Sequence, residues 1–221
     1  MRIVCIGAGY VGLLTASAFA KLGNKTTVID VDEIKVRMIQ AKKAPFYEPG
    51  LEELLLEVQE VQCNLDVTTS YHVVREADII FIAVGTPSKA DGAVDLSYIK
   101  QTAINIADNL AIDRFTVIVN KSTVPVGTAE LVTAIISQHS GLRDQKHFTV
   151  ISNPEFLREG SGVLDVFYPD RIVVGSDNSQ GTDTMQKLYQ PLLENSPKST
   201  YLVTDVKAAE LIKYASNAFW Q

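Results

Sequence analysis

A chain of 221 residues, 46% hydrophobic and 21% charged, has the make-up of a soluble globular protein, long enough for one domain with appendages. Its 26 acidic and 20 basic residues leave a net charge of −6, which argues against general nucleic-acid binding, since that needs a basic face. Two cysteines, Cys5 and Cys63, make no disulfide framework, and no apolar stretch reaches the roughly 18 residues of a membrane span; a reduced, cytoplasmic protein without a membrane anchor is expected.

Short β-rich runs alternate with longer helical patterns. "RIVCIG" predicts a strand, followed by a helix from about Tyr10 to Leu22. "KTTVIDV" predicts a second strand, then the helical "DEIKVRMIQAKK", a loop "APFYEPG" and an amphipathic helix "LEELLLEVQ". Further strands follow in "ADIIFIAVG", "RFTVIVNKS" and "HFTVISNP", separated by helices in "DLSYIKQTAINIADNL" and "VGTAELVTAIISQH". "DRIVVGS" and "STYLVT" add late strands around a helix in "NSQGTDTMQKLYQPLL". The last segment, "DVKAAELIKYASNAFWQ", reads as a helix with no glycine or proline to stop it, as though cut partway. Near-continuous apolar strands between helices predict a mostly parallel sheet covered on both faces.

The first strand runs into "GAGYVG", whose Gly7, Gly9 and Gly12 have the spacing G-x-G-x-x-G. Alone that pattern is weak, but here a strand precedes it, a helix follows, and a second strand lies beyond. Gly7 permits a sharp turn, Gly9 lets backbone approach a pyrophosphate, and Gly12 allows close helix–strand packing, with Tyr10 and Val11 opening the helix. The helix N-terminus then offers unpaired N–H groups to phosphate. Asp30 ends the second strand, 18 residues after Gly12, where a carboxylate accepts from ribose hydroxyls and repels a 2′-phosphate, favouring NAD over NADP. The competing use of Asp30 and Asp32 is helix capping, and Asp32 suits that better. Lys35, one turn further, is either near the ribose or simply solvated. Thr86 in "VGTPS" and Thr123 in "KSTVPVGT" sit after apolar strands, where open α/β sheets bind ligands. The expected fold is therefore α/β: a Rossmann-like, doubly wound, mostly parallel sheet, ending in the start of a long helix.

With "GAGYVG", "FYEPGLEELL", "VGTPS", "KSTVPVGT", "SNPEFLREG" and "ELIKYASNAF" in order along the chain, the sequence resembles the UDP-glucose/GDP-mannose dehydrogenase family, and "YEPGL" points to its UDP-glucose branch. The resemblance implies oxidation of a nucleotide sugar's C6 alcohol to a carboxylate with two NAD⁺, through a thioester on a cysteine. It further implies that Glu155 acts in thioester hydrolysis, that Lys213 steadies negative charge on the reacting oxygen, and that Asn217 hydrogen-bonds it. Thr123 would help hold a water and border the cofactor, and Glu159 would lie near the nicotinamide. Phe156, Leu157 and Arg158 would line the substrate, and Lys35 gains a place at the adenosine ribose. Helical spacing puts Glu210, Lys213 and Asn217 on one stripe; without the resemblance, a solvated Glu210–Lys213 pair is the plainer reading. His72, His139 and His147 have no metal-ligand spacing, so no metal is expected.

The family's nucleophile lies in a G-G-x-C motif that this sequence lacks, and neither Cys5 nor Cys63 has that context. The expectation is an N-terminal portion: residues 1–204 as an NAD-binding domain and 205–221 as the truncated start of a central helix that makes the parent a homodimer. Such a portion should bind NAD and not turn over. Alternatives are a GDP-mannose or UDP-N-acetylmannosamine dehydrogenase, or a non-catalytic NAD-binding module. A 3-hydroxyacyl-CoA dehydrogenase fits less well, because no histidine stands in a comparable motif.

Overall fold

The central strands read as unbroken apolar runs because alternate side chains enter two different cores. In β1 (Arg2–Ile6), Ile3 and Cys5 join one core while Val4 and Ile6 join the other. The computed structural model describes residues 1–219; Trp220 and Gln221, part of the expected last helix, lie outside the described residues.

After β1 come α1 (Tyr10–Lys21), β2 (Lys25–Ile29), α2 (Glu33–Gln40) and α3 (Leu51–Leu56), the last running into a π-helical turn at Glu57–Val61. β3 (Leu65–Thr68), a 3₁₀ segment at Tyr71–Glu76 and β4 (Ile79–Ile82) lead to α4 (Ser97–Asn109), β5 (Thr116–Asn120), α5 (Thr128–Ser140) and β6 (Phe148–Ser152). The chain continues through α6 (Gly162–Phe167), β7 (Arg171–Gly175), α7 (Ser179–Asn195), β8 (Thr200–Thr204) and α8 (Val206–Phe219). These form one eight-stranded sheet of order β3-β2-β1-β4-β5-β6-β7-β8. Every strand pair is parallel except β6 with β7, which meet only at Ser152 and Gly175. The order doubles back between β1 and β4, which opens the crevice where such sheets hold ligands.

One core lies under α1, α3 and α7 around Leu13, Phe19, Phe81, Ile151 and Leu188; the other lies under α4 and α5 around Ile82, Ile106, Ile118, Ile136 and Phe148. The predicted strands and long helices are all present. β3 and α6 are additions. In β3 only Leu65 and Val67 are buried, and four residues at the sheet edge give too little alternation to read as a strand. Asp32 is the N-cap of α2, its side chain accepting from the Ile34 and Lys35 N–H groups.

Candidate functional site

At the end of β1 the chain turns sharply, with Gly7 at φ +107° and its N–H donating to the Ile29 carbonyl at 2.7 Å. A Cβ on Gly7 would stand 2.5 Å from the Ala83 carbonyl oxygen, and one on Gly12 would collide with the carbonyl oxygen of Gly7. A Cβ on Gly9 would meet nothing within 4 Å. Two of the glycines are thus demanded by the chain's own packing, while the third leaves ground open that the protein does not use. Gly9 is also the N-cap of α1 and supplies no side-chain cap, so the first N–H groups of that helix stay available to an anion.

Asp30 stands beside this turn and is not a helix cap. Its Oδ2 accepts from the Ala8 N–H at 2.6 Å and its Oδ1 from the Asp32 N–H at 2.9 Å. Each oxygen retains a lone pair for a hydroxyl, so the carboxylate is aimed and still able to accept. Lys35 is half-buried in the first turn of α2, and Val11 is half-buried at the start of α1. The turns after β4 and β5 are tied together: the Thr86 hydroxyl donates to the Thr123 carbonyl at 3.0 Å and the Ser122 hydroxyl to the Val84 carbonyl at 2.7 Å.

Further along α1, at Thr15 and Phe19, lies a cavity of about 460 Å³, walled also by the loop after β6, the start of β7, and α8. Glu155 and Lys213 meet there. The Lys213 Nζ lies 2.8 Å from Glu155 Oε1 and 2.6 Å from the Glu155 carbonyl oxygen, with the two side chains only 11% and 12% exposed. Glu155 Oε2 accepts from the Leu157 N–H at 2.7 Å, so this carboxylate shapes an irregular loop and starts no helix. The Phe156 ring carries the Arg171 guanidinium at 4.4 Å and the Lys213 ammonium at 5.5 Å. Asn217, one turn beyond Lys213, lines the same cavity. Leu157 is half-buried against the core, and Glu159 is exposed. Arg158 is exposed and pairs with Asp165, at 2.6 Å and 3.1 Å, and both also line the cavity.

The stripe of Glu210, Lys213 and Asn217 divides in space. The Glu210 carboxylate turns to the start of α5, where it accepts from the Gly127 N–H at 2.7 Å and the Ala129 N–H at 2.9 Å. A Glu210–Lys213 pair does not form, because each side chain has a better partner on another element. Burial raises the Glu210 carboxyl above its ordinary value, against the pull of those two donors.

Four groups here have partners that the sequence does not reveal, although Lys121, Asn153 and Glu48 stand in the stretches "KSTVPVGT", "SNPEFLREG" and "YEPGL". Lys121, directly after β5, is 7% exposed, and its Nζ lies 3.1 Å from Asn153 Oδ1 and 3.3 Å from the Tyr189 hydroxyl. Among the described residues no carboxylate forms an ion pair with it. Burial therefore lowers its amine to about 8, although the Glu155 charge opposes the change. The fourth is Glu48, 5% exposed, which receives the Tyr10 hydroxyl. The Tyr10 side chain is thus spent within the protein, on Glu48 and the Arg158 carbonyl oxygen. Lys121 follows an apolar strand directly, a position that signals a sheet edge but not burial. Cys5 is fully buried in β1, and burial pushes its thiol up to about 12 despite the nearby Lys121; Cys63 is exposed near the β3 edge.

A glycine turn between β1 and α1, an aimed carboxylate after β2 and this strand order define a dinucleotide-binding, doubly wound domain. The profile described as "UDP-glucose/GDP-mannose dehydrogenase family, NAD binding domain" matches residues 1–193, and the chain belongs to that family. It is 44% identical over 220 residues to UDP-glucose 6-dehydrogenase YwqF of Bacillus subtilis, covering 99% of this chain and 48% of that one. Among solved structures, GDP-mannose dehydrogenase from Pseudomonas aeruginosa superposes with a TM-score of 0.94 at 34% identity, over 99% of this chain and 50% of that one. UDP-glucose dehydrogenase from Pyrobaculum islandicum gives 0.91 at 38% identity, over 99% and 49%. The chain spans about half the length of the curated relatives it matches. No described helix is long and apolar enough to cross a membrane.

Proposed function

We propose that the chain is the NAD-binding half of a UDP-glucose 6-dehydrogenase, a cytoplasmic enzyme that oxidises the C6 hydroxyl of UDP-glucose to the carboxylate of UDP-glucuronate in two hydride transfers. The observation that carries this is the buried Glu155–Lys213 pair in a cavity along the helix that follows a glycine turn, whose Gly9 leaves room for a pyrophosphate. The residues present fit the dinucleotide: Gly7, Gly9, Tyr10, Val11 and Gly12 supply the turn and backbone donors, Asp30 and Lys35 the ribose contacts, and Thr86, Thr123 and Glu159 the nicotinamide side. NAD⁺, when bound there, accepts the hydride.

In this reading Lys213 and Asn217 steady negative charge on the reacting oxygen, where fixed donors lower a barrier most. Glu155 and Thr123 order the water that releases the product, and Phe156, Leu157 and Arg158 line the sugar. Residues 1–204 form the cofactor domain, and the helix begun at Asp205 belongs to the parent's homodimer contact. The names of the relatives and "YEPGL" favour UDP-glucose over GDP-mannose.

This chain alone should bind NAD⁺ without completing the oxidation. Cys5 is sealed in the sheet and held as a thiol, and Cys63 lies outside the residues that line the cavity. Calorimetric titration with NAD⁺, and NADH absorbance with UDP-glucose added, test the two halves of the proposal. Saturable NAD⁺ binding without sustained NADH formation is expected; no binding refutes the cofactor site, and sustained turnover by the pure chain refutes the account of the cysteines.

A further inference from the structure

Glu48 is nearly sealed, yet no lysine or arginine pairs with it among the described residues. Its Oε2 accepts from the Tyr10 hydroxyl at 2.9 Å and the Gly160 N–H at 2.8 Å, and its Oε1 from the Gly162 N–H at 2.7 Å. The Tyr10 hydroxyl also lies 2.7 Å from the Arg158 carbonyl oxygen, so its single hydrogen is shared between two acceptors. Burial pushes the Glu48 carboxyl up, but the Gly160, Tyr10, Gly162 and Val163 donors outweigh it and hold it below the ordinary value.

These bonds join parts of the chain that are far apart in sequence. Tyr10 opens the helix that follows the glycine turn. Gly160 and Gly162 close the segment carrying Glu155, Arg158 and Glu159, which has no regular helix or strand of its own and passes Gly160 at φ +86°. A Cβ on Gly162 would collide with the Tyr10 hydroxyl, so the segment is drawn as close to α1 as backbone allows. The segment has no ladder of its own, so its distance from the turn is set by such bonds to other elements, and these are the ones that tie it to α1.

We propose that Glu48 is a positioning residue: through Tyr10 and the Gly160 and Gly162 N–H groups it sets the spacing between the dinucleotide turn and the Glu155–Glu159 segment. This rests on the dehydrogenase reading above, in which that spacing aligns the sugar C6 with the nicotinamide. The pyrophosphate is held on one side of the joint and the sugar on the other. Loosening the joint spares each set of contacts and spoils their alignment, so it lowers kcat and leaves the KM for NAD⁺ nearly unchanged.

The test compares Glu48→Gln, Glu48→Asp and the milder Tyr10→Phe with the parent in the full-length enzyme, by NAD⁺-dependent UDP-glucose oxidation and by amide hydrogen exchange. Glu48→Gln and Tyr10→Phe are expected to lower kcat roughly 10- to 100-fold, as small misplacements of reacting groups do, with partial recovery in Glu48→Asp. The KM for NAD⁺ should move by less than about threefold, and exchange at residues 158–162 should quicken about tenfold while β1 keeps its protection. Unchanged exchange at 158–162 in both Glu48→Gln and Tyr10→Phe overturns the proposal, and so does a loss seen only as weaker NAD⁺ binding. If the parent enzyme does not oxidise UDP-glucose, the dehydrogenase reading fails instead, and the exchange measurement still decides whether Glu48 fixes the segment.

Discussion

Lys121 is a buried cation without a carboxylate partner, and replacing it should stabilise the protein near neutral pH. Burial takes its amine from 10.5 to about 8, which at roughly 1.4 kcal/mol per tenfold change in proton affinity is a penalty of ~3 kcal/mol for carrying the charge inside. Below about pH 8 the folded and unfolded chains both hold the proton, and the penalty is complete. Between 8 and 10.5 the unfolded chain holds it and the folded chain does not, so stability rises with pH across that window. Methionine matches the stem of Lys121 and leaves no acceptor stranded, because Asn153 Oδ1 still receives the Tyr189 hydroxyl at 2.6 Å. The two bonds lost by Lys121 are worth about 1 kcal/mol each, so Lys121→Met should gain ~1–2 kcal/mol near pH 7. That advantage should vanish or reverse near pH 10.5. Cys5, pushed to about 12, stays protonated over most of the range. Urea unfolding of both proteins at the two pH values measures the difference. A stability gap that does not change with pH, or a Lys121→Met protein less stable near neutrality, refutes the reasoning.

The glycines should sort by what a methyl group meets: Gly9→Ala should fold at or slightly above parental stability, by up to about 1 kcal/mol, yet lose NAD⁺ affinity in calorimetry. Gly12→Ala should cost at least about 1–3 kcal/mol in urea unfolding, because its Cβ collides with backbone. Lys213→Met strands the Glu155 carboxylate in the cavity and should destabilise by about 3–5 kcal/mol, much of it recovered when Glu155→Gln is added in a double-mutant cycle. Glu48, held below its ordinary value of 4.5, adds stability above that pH and loses it as pH falls through the folded value; Glu48→Gln should flatten the acid limb of a stability–pH curve.

What could be read from the sequence and what could not follows the distance over which each feature is decided. The strands, α1 and the turn at Gly7 are settled within a dozen residues, and so is the Asp32 cap, whose partners are Ile34 and Lys35. The mostly parallel, doubly wound class needs only the alternation of apolar runs with helices; the strand order does not follow from it, and β3, with two buried residues, sits below any periodic signal. Pairings across the fold leave no such trace. Glu48 bonds to glycines more than 100 residues away, and Lys121 to a tyrosine 68 residues away, so the stretches "YEPGL" and "KSTVPVGT" give no sign of what either side chain meets.

Helical spacing places Glu210, Lys213 and Asn217 on one face of α8 but says nothing about what that face meets. Within one turn it passes from the start of α5 to the loop after β6, so neighbouring charges on a single stripe serve different ends. The Glu210 carboxylate occupies the N–H groups of Gly127 and Ala129, closing the start of α5, whereas the corresponding start of α1 stays uncapped at Gly9. Two helix starts follow two strands of the same sheet. One is sealed by a side chain of the protein and the other is not, so of these two helix starts only that of α1 keeps free N–H groups, which is the basis for proposing the glycine turn, and not the polar turn after β5, as the phosphate site.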